Sequence, residues 1–149
     1  MAGWTNKGKY KVLGWAFRGE TIPTNFYVAL VKSTPDADDN LMSDLTEIDA
    51  GNGYTSGGYQ LTPNSTDFDT WAEDDGGDKA TLKIKNVYWT ASGGSIPNDA
   101  ADATYAVLTD DDGTVADREV YCYWNITDST VLDGAILQLE DLEIDINES

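Results

Sequence analysis

Short apolar segments with a two-residue repeat, separated by turns rich in Gly, Asp and Pro, limit most strongly what this chain can fold into. In the segment 80–85, Ala, Leu and Ile alternate with Thr and Lys, so an extended strand here has one apolar and one polar face. The segments 26–32, 59–63, 105–109 and 119–125 are equally short and are rich in β-branched and aromatic residues. Segments of this kind, spaced by turn residues, predict an antiparallel β-fold.

Two of these segments and the apolar C-terminal run, 135–146, carry further detail. The apolar side changes parity at Asn86 and again near Glu140, and because a β-bulge inserts one extra residue, we predict a bulge at both points. In the segment 119–125, Val120, Cys122 and Trp124 share one parity, while Tyr121 and Tyr123 share the other. The two tyrosines are therefore expected on the exposed side of their strand.

The N-terminal region has a helical repeat instead. Tyr10, Leu13, Ala16 and Phe17 recur at spacings of three and four residues, and Gly19 is a residue that commonly ends a helix. We predict a short helix over about 5–18. The whole chain, 1–149, is then expected to form a single domain that is all-β (mainly): an antiparallel β-sandwich, jelly-roll-like, with a short N-terminal helix.

Charge limits the partners. Asp and Glu number 27 against nine Lys and Arg, which gives a net charge of −18. Such a chain repels nucleic acid and anionic lipid, since affinity for either depends on cations near phosphate, so we expect neither as a partner.

No segment approaches the ~20 apolar residues of a membrane span, and the N-terminal residues lack the apolar core of a secretory signal. We expect synthesis and function in soluble form.

Several kinds of chemistry lack their usual residues. There is no histidine, only two arginines, and no glycine-rich phosphate loop. The common catalytic dyads and the usual transition-metal ligand are thus missing from the sequence, and we expect neither an enzyme nor a cofactor nor a metal site. The single cysteine, Cys122, lies in an apolar-aromatic run and is predicted to be a buried, inert thiol.

Three alternatives remain open at this stage. A glycosidase needs two carboxylates about 5–10 Å apart, a spacing that a chain with 27 acids meets by chance. Calcium could bind the acidic segments 36–40 and 74–78, although neither has EF-hand spacing. A carbohydrate-binding module would present aromatic platforms to a sugar. The candidates for such platforms are Trp71, Trp89, Tyr121 and Tyr123.

The order of several elements resembles a family of small virion proteins of tailed bacteriophages, which act as capsid decoration (cement) or tail-fibre-like proteins. The helix at 9–19 is followed by the strand Phe26-Tyr27-Val28-Ala29-Leu30 and by Thr34-Pro35. Glu47, a Gly-Gly-Tyr element at 57–59 and a strand ending in Trp89 come next. The chain closes with Thr130-Val131-Leu132-Asp133-Gly134 and an alternating run to Ile146.

The resemblance implies a structural role in a virion and no catalytic residues. An acidic protein is compatible with the outer surface of a DNA-filled head, so we expect a decoration protein on the outer capsid surface, made in the bacterial host cytoplasm. Its expected partners are the major capsid protein and further copies of itself in a homotrimer; a tail or fibre-associated protein is the alternative. The side chains expected at these contacts are Trp4, Lys7, Lys9, Lys11, Tyr27, Val31, Tyr121 and Tyr123.

Overall fold

A computed structural model describes residues 2–99 and 101–147 as a mainly β-structure with one α-helix, as the sequence predicts. The helix α1 spans Asn6–Phe17. The strands are β1 (Gly3–Trp4), β2 (Phe26–Val31), β3 (Tyr59–Leu61), β4 (Thr70–Asp74), β5 (Lys79–Ile84), β6 (Val87–Thr90), β7 (Ala103–Thr109), β8 (Val120–Ser129), β9 (Ile136–Leu139) and β10 (Leu142–Asn147). Two short 3-10 turns lie at Met42–Asp44 and Val115–Asp117.

The strands form three antiparallel sheets. The largest has the order β1-β8-β7-β2-β3, the second has the order β10-β5-β4, and the third pairs β6 with β9. One face of the large sheet packs against the two small sheets, and Leu30, Leu61 and Val87 are among the fully buried residues between them. The all-β expectation with a short N-terminal helix is confirmed, and the packing of the sheets is sandwich-like.

The two predicted bulges at the parity shifts are instead points where the chain leaves one sheet for another. Residues 85–86 connect β5 of the three-stranded sheet to β6 of the two-stranded sheet. Residues 140–141 make the reverse passage from β9 to β10, and Asp141 adopts a left-handed φ of 53° there. A change of parity is common to both situations, and only the pairing partner distinguishes them.

A bulge does occur where none was predicted, in β8. Thr109 pairs with Val120 and Leu108 pairs with Cys122, so Tyr121 is the extra residue on this strand. The bulge places Val120 in a different cluster from Cys122, and it buries Tyr121 beside Cys122 in the main core. The expected common face of Val120 and Cys122 is therefore wrong, and so is the expected exposure of Tyr121.

Strand β4 was also not predicted, because its surroundings, 64–78, are dense in turn residues. It pairs with β5 and carries Trp71. From residue 71 to residue 78 every residue of this β4–β5 hairpin is exposed. The hairpin therefore projects from the body of the molecule.

Candidate interaction surface

The start of α1 is fixed by a buried threonine. Thr5 is completely buried; its Oγ1 accepts a hydrogen bond from the Gly8 backbone N–H at 2.9 Å and donates one to the Val120 carbonyl at 2.5 Å. Threonine at this position satisfies one of the free N–H groups of a helix start. Here it also attaches the helix to β8.

The inner side of α1 is formed by glycine. A Cβ atom added to Gly8 would lie 2.1 Å from the Tyr121 carbonyl oxygen, so the helix backbone packs directly on the bulged part of β8. The Trp15 ring, on the packed side of the helix, contacts the rings of Phe26 and Tyr121 edge to face. The ring centroids are 6.0 Å apart for Phe26 and 5.4 Å apart for Tyr121. Glycine lets the helix approach closely, and the side chains of its opposite side then point outward.

That opposite side is apolar and uncovered. The exposed fractions are 62% for Tyr10, 58% for Leu13 and 80% for Phe17. A surface helix normally turns its apolar stripe toward the core, whereas this helix turns it toward solvent. We call these three residues, with Lys9 and Arg18 beside them, the helix face.

The cations of this region differ in their partners. Lys7 pairs with Glu119 at 3.4 Å, and Lys11 reaches the same carboxylate at 3.3 Å. Lys9 and Arg18 are exposed, and neither has a carboxylate within ion-pair distance among residues 2–99 and 101–147. Residues 6–18 contain four cations and no acid, and two of these cations, Lys9 and Arg18, keep their charge free of ion pairs with the described residues. The helix face is therefore a basic region on a strongly acidic protein.

A groove separates α1 from the three-stranded sheet. Trp4 lies at its base, where the indole N–H donates to the Asp145 carbonyl at 2.9 Å and so joins β1 to β10. Val12 and Trp15 form the helix wall. The groove contains a cavity of about 400 Å³ with an almost entirely apolar lining.

The sheet wall of the groove is a row of side chains across three strands. Strand register aligns Ile144 with Leu82 and Leu82 with Trp71. Ile144 is buried, Leu82 is half-buried and Trp71 is 87% exposed. The apolar row therefore begins in the core and ends in solvent, on the projecting hairpin.

The far end of this wall is acidic. Between residues 69 and 79 the chain carries five acids and one lysine, and that lysine, Lys79, pairs with Glu143 and Asp145 at 2.8 and 3.3 Å. The acids of the hairpin are Asp69, Glu73, Asp74, Asp75 and Asp78. The groove thus lies between a basic helix and an acidic hairpin, with apolar side chains on both walls.

The opposite, outer face of the three-stranded sheet is a network of ion pairs. Hydrogen bonds from Lys79, and then from Lys83, lower the pKa of Glu143 to about 2. Asp145, which is buried, accepts a hydrogen bond from the Thr81 hydroxyl at 2.7 Å. These pairs connect β10 to β5 across the sheet that forms one wall of the groove.

The structure separates the contact residues that the sequence suggested. Trp4 lines the groove, Lys9 lies on the helix face, and Lys7 and Lys11 are engaged with Glu119. Val31 is completely buried and Tyr121 is 3% exposed, so neither offers surface to a partner.

Two further suggested residues lie away from the groove. Tyr123 is half-buried beside the second core cluster. Tyr27 lies under the guanidinium of Arg118. The face of β2 that carries Val31 is covered within the chain, because Met42 and Val120 pack on Ala29 and Val31.

Sequence reasoning did not select Tyr10, Leu13, Phe17 or Arg18 as contact residues. The helical spacing of Tyr10, Leu13 and Phe17 shows that they share one side of the helix, but it does not show whether that side is buried. Gly8, on the other side, indicates the buried side, since a glycine inside a helix suggests a close backbone contact there.

The aromatic platforms of the sugar-binding alternative are mostly internal. Trp89 is 6% exposed, Tyr121 is buried and Tyr123 is half-buried, which leaves Trp71 as the only largely exposed member of the four.

In the acidic segment 36–40, side-chain carboxylates accept hydrogen bonds from backbone N–H groups of the same segment. Asp39 accepts from the Asp36 N–H, and Asp36 accepts from the Asp38 N–H. In the part of the chain that the structure describes, no three His, Cys, Asp or Glu residues are placed to hold a metal ion together.

No helix within residues 2–99 and 101–147 has the length and apolarity needed to cross a membrane. Models of known protein families give no match to this chain, and a search of curated proteins gives none either.

Proposed function

We propose that this protein is a structural component of a phage virion, a decoration protein that binds the outside of the capsid and stabilises the head. The observation that carries the proposal is the presence of two apolar surfaces open to solvent: the helix face, with exposed Tyr10, Leu13 and Phe17, and the groove, which ends at exposed Trp71. Exposed apolar surface of this kind marks sites of protein–protein contact.

Charge supports an external position. A net charge of −18 opposes approach to packed DNA and favours solubility of the free subunit. The cations that have no carboxylate partner among the described residues, Lys9 and Arg18, lie beside the exposed apolar stripe. Contacts with an acidic partner are therefore favoured at the helix face and disfavoured by charge repulsion over the rest of the protein. This difference suits a protein that must bind at defined positions on a capsid.

The proposal includes self-association, as the homotrimer expected from the sequence, and contact with the major capsid protein. The expected contact residue Val31 does not support the trimer, because the chain itself covers the face of β2 on which Val31 lies. The helix face and the groove take over this role. A protein that acts in this way stabilises a shell by burying apolar area between subunits and needs no reaction.

Capsid binding is the test. Expanded capsids, assembled without this protein from the major capsid protein of the same genome, are mixed with the purified chain and analysed by mass photometry and co-sedimentation. We expect saturation at a fixed number of copies per capsid. Capsids already saturated with the protein should take up no more and are the matched control.

If the capsids bind no protein at any concentration in this titration, the capsid role is overturned. Binding to purified tails in the same assay would then favour the tail or fibre-associated alternative. Binding to a glycan array, lost on Trp71→Ala, would favour a carbohydrate-binding module, since Trp71 is the exposed platform.

A further inference from the structure

We infer that the groove is filled by α1 of a second copy of this chain, with the helix face of one copy against the acidic β4–β5 hairpin of the next. The inference deepens the proposed function and rests on it, because it names the partner and the surfaces of the self-association included there. Three observations carry it: complementary charge, complementary apolar surface and matching length.

Complementary charge is the first observation. The hairpin and its flanks, residues 69–79, contain five acids and one lysine that is paired elsewhere. Of the four cations within residues 6–18, Lys7 and Lys11 pair with Glu119, whereas Lys9 and Arg18 have no carboxylate partner among the described residues and are available to the hairpin of another copy. Opposite charge across an interface steers encounter and fixes register, while like charge disfavours other arrangements.

Complementary apolar surface is the second. A partner for the groove must combine apolar side chains with positive charge, because the groove is lined by carbon and ends at the acidic hairpin. Within the described residues, the helix face has this combination, in Tyr10, Leu13 and Phe17 with their flanking cations. Trp71 is the large exposed ring that such a helix would cover, and buried tryptophan commonly dominates the free energy of an interface.

Length is the third. The 12 residues of α1 extend about 18 Å at the usual helical rise. The five residues of β4 extend about 17 Å. A helix laid along β4 therefore covers Trp71 and the acidic end of the hairpin together. Since every copy has both surfaces, each copy can make this contact twice, and a rotation of about 120° between successive copies would close the proposed trimer.

Charge reversal tests the inference by sedimentation velocity over a range of protein concentrations. Lys9→Glu with Arg18→Glu reverses the helix face, and Glu73→Lys with Asp75→Lys reverses the hairpin. Each double variant should weaken self-association about tenfold, as expected for the loss of two ion pairs at a subunit interface. The quadruple variant restores opposite charges and should associate within about threefold of the natural chain.

The change in net charge distinguishes loss of this specific contact from a general change in charge repulsion between copies. The hairpin double variant is less negative than the natural chain by four charges, so a change in overall repulsion alone would strengthen its association. The inference predicts the opposite sign. Asp117→Lys, at an exposed site outside the helix face, the groove lining and the hairpin, is the control and should leave association unweakened. Circular dichroism and urea unfolding establish that each variant is folded.

The inference is overturned if the natural chain stays monomeric at all concentrations, or if it associates but ignores both charge reversals. Its failure is distinct from failure of the proposed function. A chain that assembles through this contact and does not bind capsids keeps the inference and loses the capsid role. A chain that binds capsids as a monomer keeps the capsid role and loses the inference.

Discussion

The guanidinium carbon of Arg118 lies 3.9 Å from the centre of the Tyr27 ring, so the cation stacks on the aromatic face. Arg118 is only 8% exposed, and it donates hydrogen bonds to the Gly57 carbonyl at 3.1 Å and to the Asp112 carbonyl at 3.0 Å. A single side chain thus joins β2, the turn before β3 and the loop between β7 and β8. The planar fork of arginine supports all three contacts at once, which lysine cannot do.

We expect Arg118→Lys to lower the free energy of unfolding by about 1–3 kcal/mol, because the Gly57 and Asp112 carbonyls lose their charged donor and Tyr27 loses its stacked cation. Urea unfolding measures the change. Tyr27→Phe is the control: it keeps the ring and removes only the exposed hydroxyl, which donates to Gln60 at 3.1 Å, so it should stay within about 0.5 kcal/mol. Equal stability of the lysine variant and the natural chain would contradict the role given to Arg118.

Gly8→Ala should destabilise the protein although alanine favours helices. The added Cβ would meet the Tyr121 carbonyl oxygen at 2.1 Å, and overpacking against backbone costs about 1–3 kcal/mol. In the same helix, a Cβ at Gly14 meets only the flexible Glu20 side chain, at 2.9 Å. Gly14→Ala should therefore be neutral or slightly stabilising.

Thermal unfolding of the two glycine variants measures the difference between these sites. If both variants lowered the melting temperature equally, the close approach of α1 to β8 would not be the cause, and the outward orientation of the helix face would lose its explanation.

Stability should fall in acid through Glu143. Lys79 and Lys83 lower its pKa to about 2 in the folded protein, whereas an unfolded Glu titrates near ~4.3. A lowered folded-state pKa contributes stability that is present above the unfolded value and is lost as pH falls through the folded value. We therefore expect Glu143 to contribute fully above about pH 5 and progressively less toward pH 2.

Urea unfolding of Glu143→Gln at several pH values tests this dependence. The difference from the natural chain should be largest near neutral pH and should shrink toward pH 2. Asp117→Asn removes an exposed carboxylate that has no ion pair among the described residues and lies outside the proposed subunit contact, and its effect should not show the same dependence on pH. A constant difference for Glu143→Gln across this range would contradict the linkage to its ion pairs.

Cys122 should be unreactive in the folded state. The residue is 1% exposed, and burial raises the pKa of its thiol, so both access and ionisation oppose reaction. An aromatic disulfide reagent should label it only as fast as the sheet opens, and at once in denaturant. Fast labelling of the native protein, with its circular dichroism spectrum unchanged, would mean that this part of the core is accessible.

Local sequence pattern predicted the elements whose form depends on their own residues. The helix at 6–17 and the strands at 26–31 and 103–109 follow from spacing and composition. The parity shifts at 86 and 140 were detected but misassigned, because a bulge and a change of sheet alter parity in the same way. Strand β4 was missed because it exists through pairing with β5, against the turn-forming composition of its own segment.

The candidate surface was harder to predict, because it depends on residues distant in sequence. The lysines of α1 were noted, but their different partners are set by Glu119, which lies more than a hundred residues away. The burial of Tyr121 depends on a bulge that the alternation of β8 does not reveal. The groove itself exists only because α1 and the β10-β5-β4 sheet approach each other.

Trp4 and Asp145, joined by the hydrogen bond at the base of the groove, are separated by 141 positions. During translation the helix leaves the ribosome well before β10, which supplies part of the opposite wall. A nascent polypeptide that has not yet released β10 therefore has an exposed helix and an incomplete groove. In the proposed self-association, such a polypeptide could offer its helix face but could not receive one, so the order of synthesis would disfavour contacts between incomplete subunits.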